Sequence, residues 1–348
     1  MKKKILCAFL ALAMTATLFA GCSGNSGLSE SSSSSAATKD STSSSKTLKV
    51  AVFDMPTLYL MQTFNDMGYY KDNGANVEFT YFPVYSDAIS AYNTGNADVI
   101  IYAVAEAVTP VVNGIDSKVI GVIDTSNGLD GIAATNDIKS VKDLKGKTVA
   151  TEIGTVDHMM LQKALEKNGL SEDDVNLVNM SAGDAAAAMT GGSIDAVSTW
   201  EPQLSKAAKS GHIIYSTKED PNLIADVFLI HSEKLDEQYD NAKAFVKTWY
   251  ESMEKYKADP SKYAAQAAKK GDLSEDEFYQ LMDVTNLVSL EDNKVKFTEG
   301  KDDYKYLNVL VKTVGSFLYD GGLITTKLTD DMVTNMLDPR IVNDLLSE

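Results

Sequence analysis

The sequence predicts an α/β protein of two lobes, mostly parallel sheets flanked by helices, with the second lobe inserted into the chain of the first. Three observations predict it. Short apolar runs alternate with helical stretches, and the alternation comes in two consecutive series, the second starting near residue 136. An apolar run near residue 226 then carries the chain back toward the first series. Strands separated by helices are joined by crossovers, which places helices on both faces of parallel strands.

The N-terminal segment stands outside this pattern. Lys2, Lys3 and Lys4 precede the largely apolar stretch 5–21, in which only Thr15 and Thr17 are polar. The stretch is shorter than the roughly 20 residues of a membrane span and ends in small residues, as a signal peptide does. Its close, Leu18-Phe19-Ala20-Gly21-Cys22, resembles the lipobox of bacterial lipoproteins. That resemblance implies removal of 1–21, lipidation of Cys22 and location on the outer face of the cell membrane. Between 23 and 46, 12 of 24 residues are Ser, too little apolar surface to offset the entropy of ordering. The segment 22–46 therefore reads as a lipidated tether, and several acyl chains on one Cys give stable anchoring.

Composition narrows the function classes. Cys7 leaves with the signal and Cys22 takes the lipid, so the folded body has no disulfide, thiolate nucleophile or Cys metal ligand. Loss of three lysines takes the formal charge from -17 to -20, which argues against nucleic acid as a partner.

In the first series, strands are expected at 48–53, 77–82, 98–103 and 118–123, with helices at 58–70, 87–92 and 106–112. The second series places strands at 147–151, 175–180, 196–200 and 213–215, with helices at 156–168, 185–190 and 203–209. A strand at 226–231 follows, then helices at 241–257, 261–270, 274–287 and 304–319. Ser274 before three acidic residues is a plausible cap, and Pro260 separates two helices. The expected lobes are 47–134 plus 226–348, and 135–225, with crossings near 133–136 and 225–227. Solutes in such folds bind between the lobes, where strands end and helices begin. One large doubly wound enzyme is the alternative that periodicity leaves open.

Several segments resemble the nitrate/sulfonate/taurine and thiamine-precursor solute-binding proteins, whose fold is the type II periplasmic-binding-protein-like one. They are Ser140-Val141-Lys142-Asp143-Leu144-Lys145-Gly146-Lys147, Gly154-Thr155-Val156-Asp157-His158, Gly191-Gly192-Ser193-Ile194-Asp195-Ala196 and Thr199-Trp200-Glu201-Pro202. The resemblance implies a monomeric capture protein for a small solute, working with the permease and ATPase of an ABC importer and needing no cofactor. A solute-sensing lipoprotein is a second class.

The candidate ligand-binding residues lie at strand ends and helix starts. Thr155 is placed to cap the helix near Val156, where free N–H groups hold either a ligand oxygen or nothing beyond the cap. His158 in the same turn reads equally as a packing residue. Trp200 either covers a flat ligand or packs between lobes, with Glu201 beside it. Asp184 precedes a helix, Tyr85 and Asp87 bracket another, and Asp54, Tyr59, Tyr102 and Glu106 complete the first-lobe rim. Asp130 and Asp157 add acids to the set, which holds no Lys or Arg; the whole chain has one arginine, Arg340. A fixed anion demands donors when buried. The expectation is therefore a nitrogen-containing organic solute, aminopyrimidine-like, with an aliphatic sulfonate, taurine or nitrate as the alternative.

No arrangement compels catalysis. The three histidines lack metalloprotease spacing, and no G-x-S-x-G elbow or G-x-x-x-x-G-K-[ST] loop occurs. The expectation is a binding protein, not an enzyme, with no metal site.

Overall fold

The computed structural model describes residues 46–348; the expected signal peptide, Cys22 and most of the tether lie outside the described residues. Eleven strands are described: β1 (Leu48–Val52), β2 (Val77–Tyr81), β3 (Val99–Ala103), β4 (Ser117–Ser126), β5 (Asp130–Thr135), β6 (Thr148–Thr151), β7 (Asn176–Asn179), β8 (Ala196–Trp200), β9 (Gly211–Ser216), β10 (Ala225–His231) and β11 (Thr285–Leu287). They form a six-stranded sheet of order β11-β4-β10-β3-β1-β2 and a five-stranded sheet of order β7-β6-β8-β5-β9. Each sheet, with its helices, is one lobe.

The sheets are more mixed than expected, since four of nine strand pairings are parallel. The reason is connectivity. β5 and β10 carry the chain from one sheet to the other, and both run antiparallel to each of their neighbours. The parallel part of each lobe, β2-β1-β3 and β7-β6-β8, is the portion built by helical crossovers. β3 is buried along its whole length, and its unbroken apolar run is what a strand covered on both faces requires.

The crossings also fall elsewhere. The first lies between β4 and β5, so 133–136, expected to be a crossing, spans the end of β5 in the second sheet. The return lies between β9 and β10. Thr217, in the return segment, ties the two connections together: its hydroxyl meets Ser126 Oγ at 2.5 Å and accepts from Gly128 N–H at 2.8 Å.

Helix limits differ for local reasons. The helix expected over 58–70 stops at Asp66, because Gly68 takes φ +83° and a short second turn begins at Tyr69. The last part of 274–287 is not helical: the helix Glu275–Asp283 ends and β11 pairs with β4 through Thr285 to Leu287. The Ser274 cap is present as a full capping box with Glu277.

Large rings fix the helical layer to the six-stranded sheet. From the helix Tyr239–Ala258, Phe245 and Trp249 meet Phe228 of β10 at ring distances of 5.1 and 6.4 Å. Both are fully buried, and each removes on the order of 150–250 Å² from water. Among the described residues, no helix is long and apolar enough to cross a membrane.

Candidate functional site

Parallel strands of both lobes end at a common cleft. From the six-stranded lobe come Phe53 and Asp54 after β1, the start of the helix Tyr85–Asn93, and Ala103 at the end of β3. The other lobe supplies Glu152 after β6, Ser181 to Asp184 after β7, and Trp200 closing β8. An outer chamber of about 220 Å³ lies among these residues and Gln203. Adjoining it is a smaller chamber of about 20 Å³ with buried walls, and Phe53, Tyr85 and Trp200 line both.

The three rings are locked to one another. Phe53 and Tyr85 are 4.3 Å apart, Tyr85 and Trp200 meet edge-on at 5.5 Å, and Tyr102 supports Tyr85 from behind at 6.3 Å. The Trp200 indole N–H donates to the Asp54 carbonyl at 3.2 Å, a bond from one lobe to the other. Trp200 therefore packs between the lobes, one of the two alternatives, and also lines the cleft.

Among the described residues, no lysine or arginine lines either chamber. Carboxylates gather there instead. Asp130 and Asp226 line the smaller chamber, and Glu106, Asp124 and Asp157 are buried with them. One oxygen each of Glu106, Asp124 and Asp130, and both of Asp157, have no partner among the described residues. Burial pushes all five carboxyls toward their neutral forms, Glu106 up to about 8, and neighbouring acids add to the effect. Asp124 and Asp226 are hydrogen-bonded to each other through their side chains, and Thr57 donates to Asp124 at 2.8 Å.

Two helix starts that a ligand anion would seek already have carboxylates. Glu106 Oε1, from the six-stranded lobe, accepts the Val156 N–H at 2.7 Å, at the first residue of the helix Val156–Lys167 in the other lobe. Glu152 accepts from the Ala182 backbone N–H, at the first residue of the helix Ala182–Thr190, and burial still raises its pKa. The helix N-terminus seeks acceptors, and here the chain supplies carboxyl oxygens of its own.

The structure separates the expected site residues. Asp54, Tyr85, Asp130, Asp184 and Trp200 line the cleft. Tyr59 is buried beside it and donates to Asp54 at 3.2 Å, while Tyr81, exposed, donates to the same oxygen at 2.7 Å. Tyr102, Glu106 and Asp157 lie in the buried layer and line neither chamber. Thr155 does not cap its helix through its side chain; the hydroxyl turns back to the Glu152 carbonyl at 2.7 Å. His158 is a packing residue, with Nδ1 accepting the Gly154 N–H at 3.3 Å and Nε2 facing Glu172 at 2.5 Å. Glu201 is turned from the cleft toward Ser205, whose N–H and hydroxyl it accepts at 2.9 and 2.7 Å. Asp87 is exposed and lines neither chamber.

Phe53, Glu152 and Asp226 were missed as cleft residues. Phe53 was legible as the end of an apolar strand next to Asp54, and Asp226 as an acid opening a strand of otherwise apolar residues. Glu152 gave no signal beyond its place after a strand. Among the described residues, no group of three or more His, Cys, Asp or Glu is placed to hold a metal ion.

Comparison with known proteins bears on this arrangement. The model of the NMT1/THI5 like family matches residues 61–263, more than half of the chain. The chain belongs to that family. The taurine-binding periplasmic protein of Escherichia coli (strain K12) is 22% identical over 206 residues, covering 58% of this chain and 64% of its own. A provisionally named aliphatic sulfonates-binding protein of the same strain is 29% identical over 141 residues, 40% of this chain and 44% of that one. The chain thus spans about half the length of the curated relatives it matches. Among solved structures, the alkanesulfonate-binding protein SsuA from Xanthomonas axonopodis pv. citri, bound to MOPS, superposes with a TM-score of 0.69 at 16% identity, covering 84% of this chain and 98% of its own. SsuA from Escherichia coli gives 0.68 at 18% with the same coverage. These likenesses establish the two-lobed type II fold. The desulfurization enzyme DSZB shares it at a TM-score of 0.60 and 15% identity, so the fold alone does not separate capture from catalysis.

Proposed function

We propose that this protein is the extracytoplasmic solute-binding component of an ABC importer, held to the membrane by lipid at Cys22, and that it captures a small organic solute between its lobes. The observation that carries the reading is the cleft itself, aromatic-walled, set at the ends of parallel strands, and bridged by contacts from both lobes. Among the described residues, no His or Cys lines it, so it holds no Ser-His or Cys-His pair for nucleophilic attack. The expected lobes move slightly in this reading, to 47–126 plus 225–348 and 130–216, with the intervening connections as the hinge.

Two readings of the solute rest on different observations. The cleft's chemistry supports a compound that presents an amine, since every charged side chain lining it is an acid. The names of the relatives support a sulfonate or taurine instead. Taurine carries both an ammonium and a sulfonate, and so meets part of each. None of these relatives is named for a pyrimidine, so they favour the sulfonate or taurine alternative over the aminopyrimidine expectation, and what the cleft's acids keep of that expectation is an amine.

The test of capture is lobe movement on binding. Calorimetry against amines, taurine, alkanesulfonates and nitrate identifies a ligand, and small-angle scattering then follows the radius of gyration at saturation. A fall in radius is expected, and a ligand that binds without any change in scattering counts against hinge closure.

A further inference from the structure

With the cleft taken as the solute site, we propose that its smaller chamber is a seat for a primary ammonium, held by Asp130 and Asp226 next to Phe53, Tyr85 and Trp200, with the rest of the solute in the outer chamber. Asp130 is 3% exposed, lines the chamber, and leaves Oδ2 without a partner among the described residues. Asp226 is 6% exposed and lines it too, and the remaining lining is apolar or aromatic. The unpartnered Asp130 oxygen is an acceptor awaiting a donor, and a cation seated against the two acids favours their ionised forms, which burial alone disfavours.

Size decides among the cations. A cavity of about 20 Å³ holds roughly one water-sized group. A primary ammonium is that size and brings three N–H donors; a trimethylammonium is far larger. A hard metal ion needs six or more oxygen ligands at fixed distances, and the apolar walls provide none beyond the two acids. Glu106 and Glu152 complete the case from the other side. At the two helix starts, each takes up one backbone N–H that an anion could otherwise have used.

The test uses the full chain and four probes: 2-phenylethylamine, its N,N,N-trimethyl derivative, 2-phenylethanesulfonate and taurine. Titration calorimetry should show binding of the primary amine and of taurine, at least about tenfold weaker binding of the trimethyl compound, and none of 2-phenylethanesulfonate. Asp130→Asn and Asp226→Asn imitate the neutral carboxyl in shape, and each should weaken amine binding about tenfold with the circular dichroism spectrum unchanged. Binding of 2-phenylethanesulfonate as tight as that of the amine overturns the proposal. So does amine binding unaffected by both variants, or no amine binding at about 10 mM. Trp200→Ala separates the two levels. Sulfonate binding that this variant abolishes keeps the cleft as the solute site and ends only the ammonium seat. Binding of every probe untouched by it moves the solute out of the cleft altogether.

Discussion

Replacing Glu106 by Gln isolates the cost of burying a carboxyl between the lobes. Glu106 is 4% exposed, its Oε1 accepts the Val156 N–H at 2.7 Å, and its Oε2 has no partner among the described residues. Burial is the largest influence and raises its pKa from 4.5 to about 8; the Val156 N–H opposes this. The folded-state value lies above the unfolded one, so the folded chain keeps a proton that the unfolded chain releases. This contribution to stability is full below about pH 4.5 and is lost as pH rises to about 8. At about 1.4 kcal/mol per pH unit, the loss between pH 5 and 8 reaches about 4 kcal/mol. Gln keeps the acceptor for Val156 and cannot ionise. Urea unfolding at about pH 5, 6.5 and 8 should therefore show wild type losing several kcal/mol more than Glu106→Gln over that range. Asp124, Asp130, Asp157 and Asp226 have raised values as well, so the variant keeps a falling trend of its own; the difference between the two proteins is the signal. Equal slopes, or a steeper fall in the variant, would refute the reasoning.

Other perturbations bear on the remaining claims. Asp87→Asn should change ligand affinity by less than about 0.5 kcal/mol in calorimetry, because the side chain is exposed and away from both chambers. Glu201→Ala should cost about 1–2 kcal/mol in chemical denaturation, since it strips the cap from Ser205. Gly211→Ala should destabilise by more than about 1 kcal/mol, as its Cβ would lie 1.9 Å from the Ala134 carbonyl oxygen on the paired strand; a shift in melting temperature checks it. Cys22→Ser should release the protein from membranes or leave the precursor uncut, read by fractionation and lipid labelling.

Much of the architecture was legible because its elements are short and strongly patterned. β3 and β10 are nearly unbroken apolar runs between polar breaks, and each emerged within one or two residues of its expected span. β5 was missed because 130–135 contains Gly131 and two alanines and has too little β-branched character to mark a strand. Its pairing comes from β8 and β9, which lie far away in sequence. The rim of the site was legible where acids and rings follow strand ends, as at Asp54, Tyr85 and Trp200. The sequence was silent on direction. Glu106 and Glu201 sit at the expected kind of position, yet one reaches across to the other lobe and the other turns back to Ser205. Which way a carboxylate points depends on donors brought near it by tertiary packing, and spacing alone does not contain that.

The tie between Ser126, Gly128 and Thr217 has a consequence for how such a chain can change over time. The chain enters the five-stranded lobe after Ser126 and leaves it before Ala225, and both passages meet at one Thr hydroxyl. A segment whose two ends share a doorway can be lifted out and replaced by another with the same doorway, because the host sheet keeps every strand it needs. Residues 130–216 thus form a cassette. It carries the indole wall and one of the two acids of the smaller chamber, while the host carries Phe53, Tyr85 and Asp226. Recombination at this doorway would exchange half of the cleft's lining in one event and leave the other half in place.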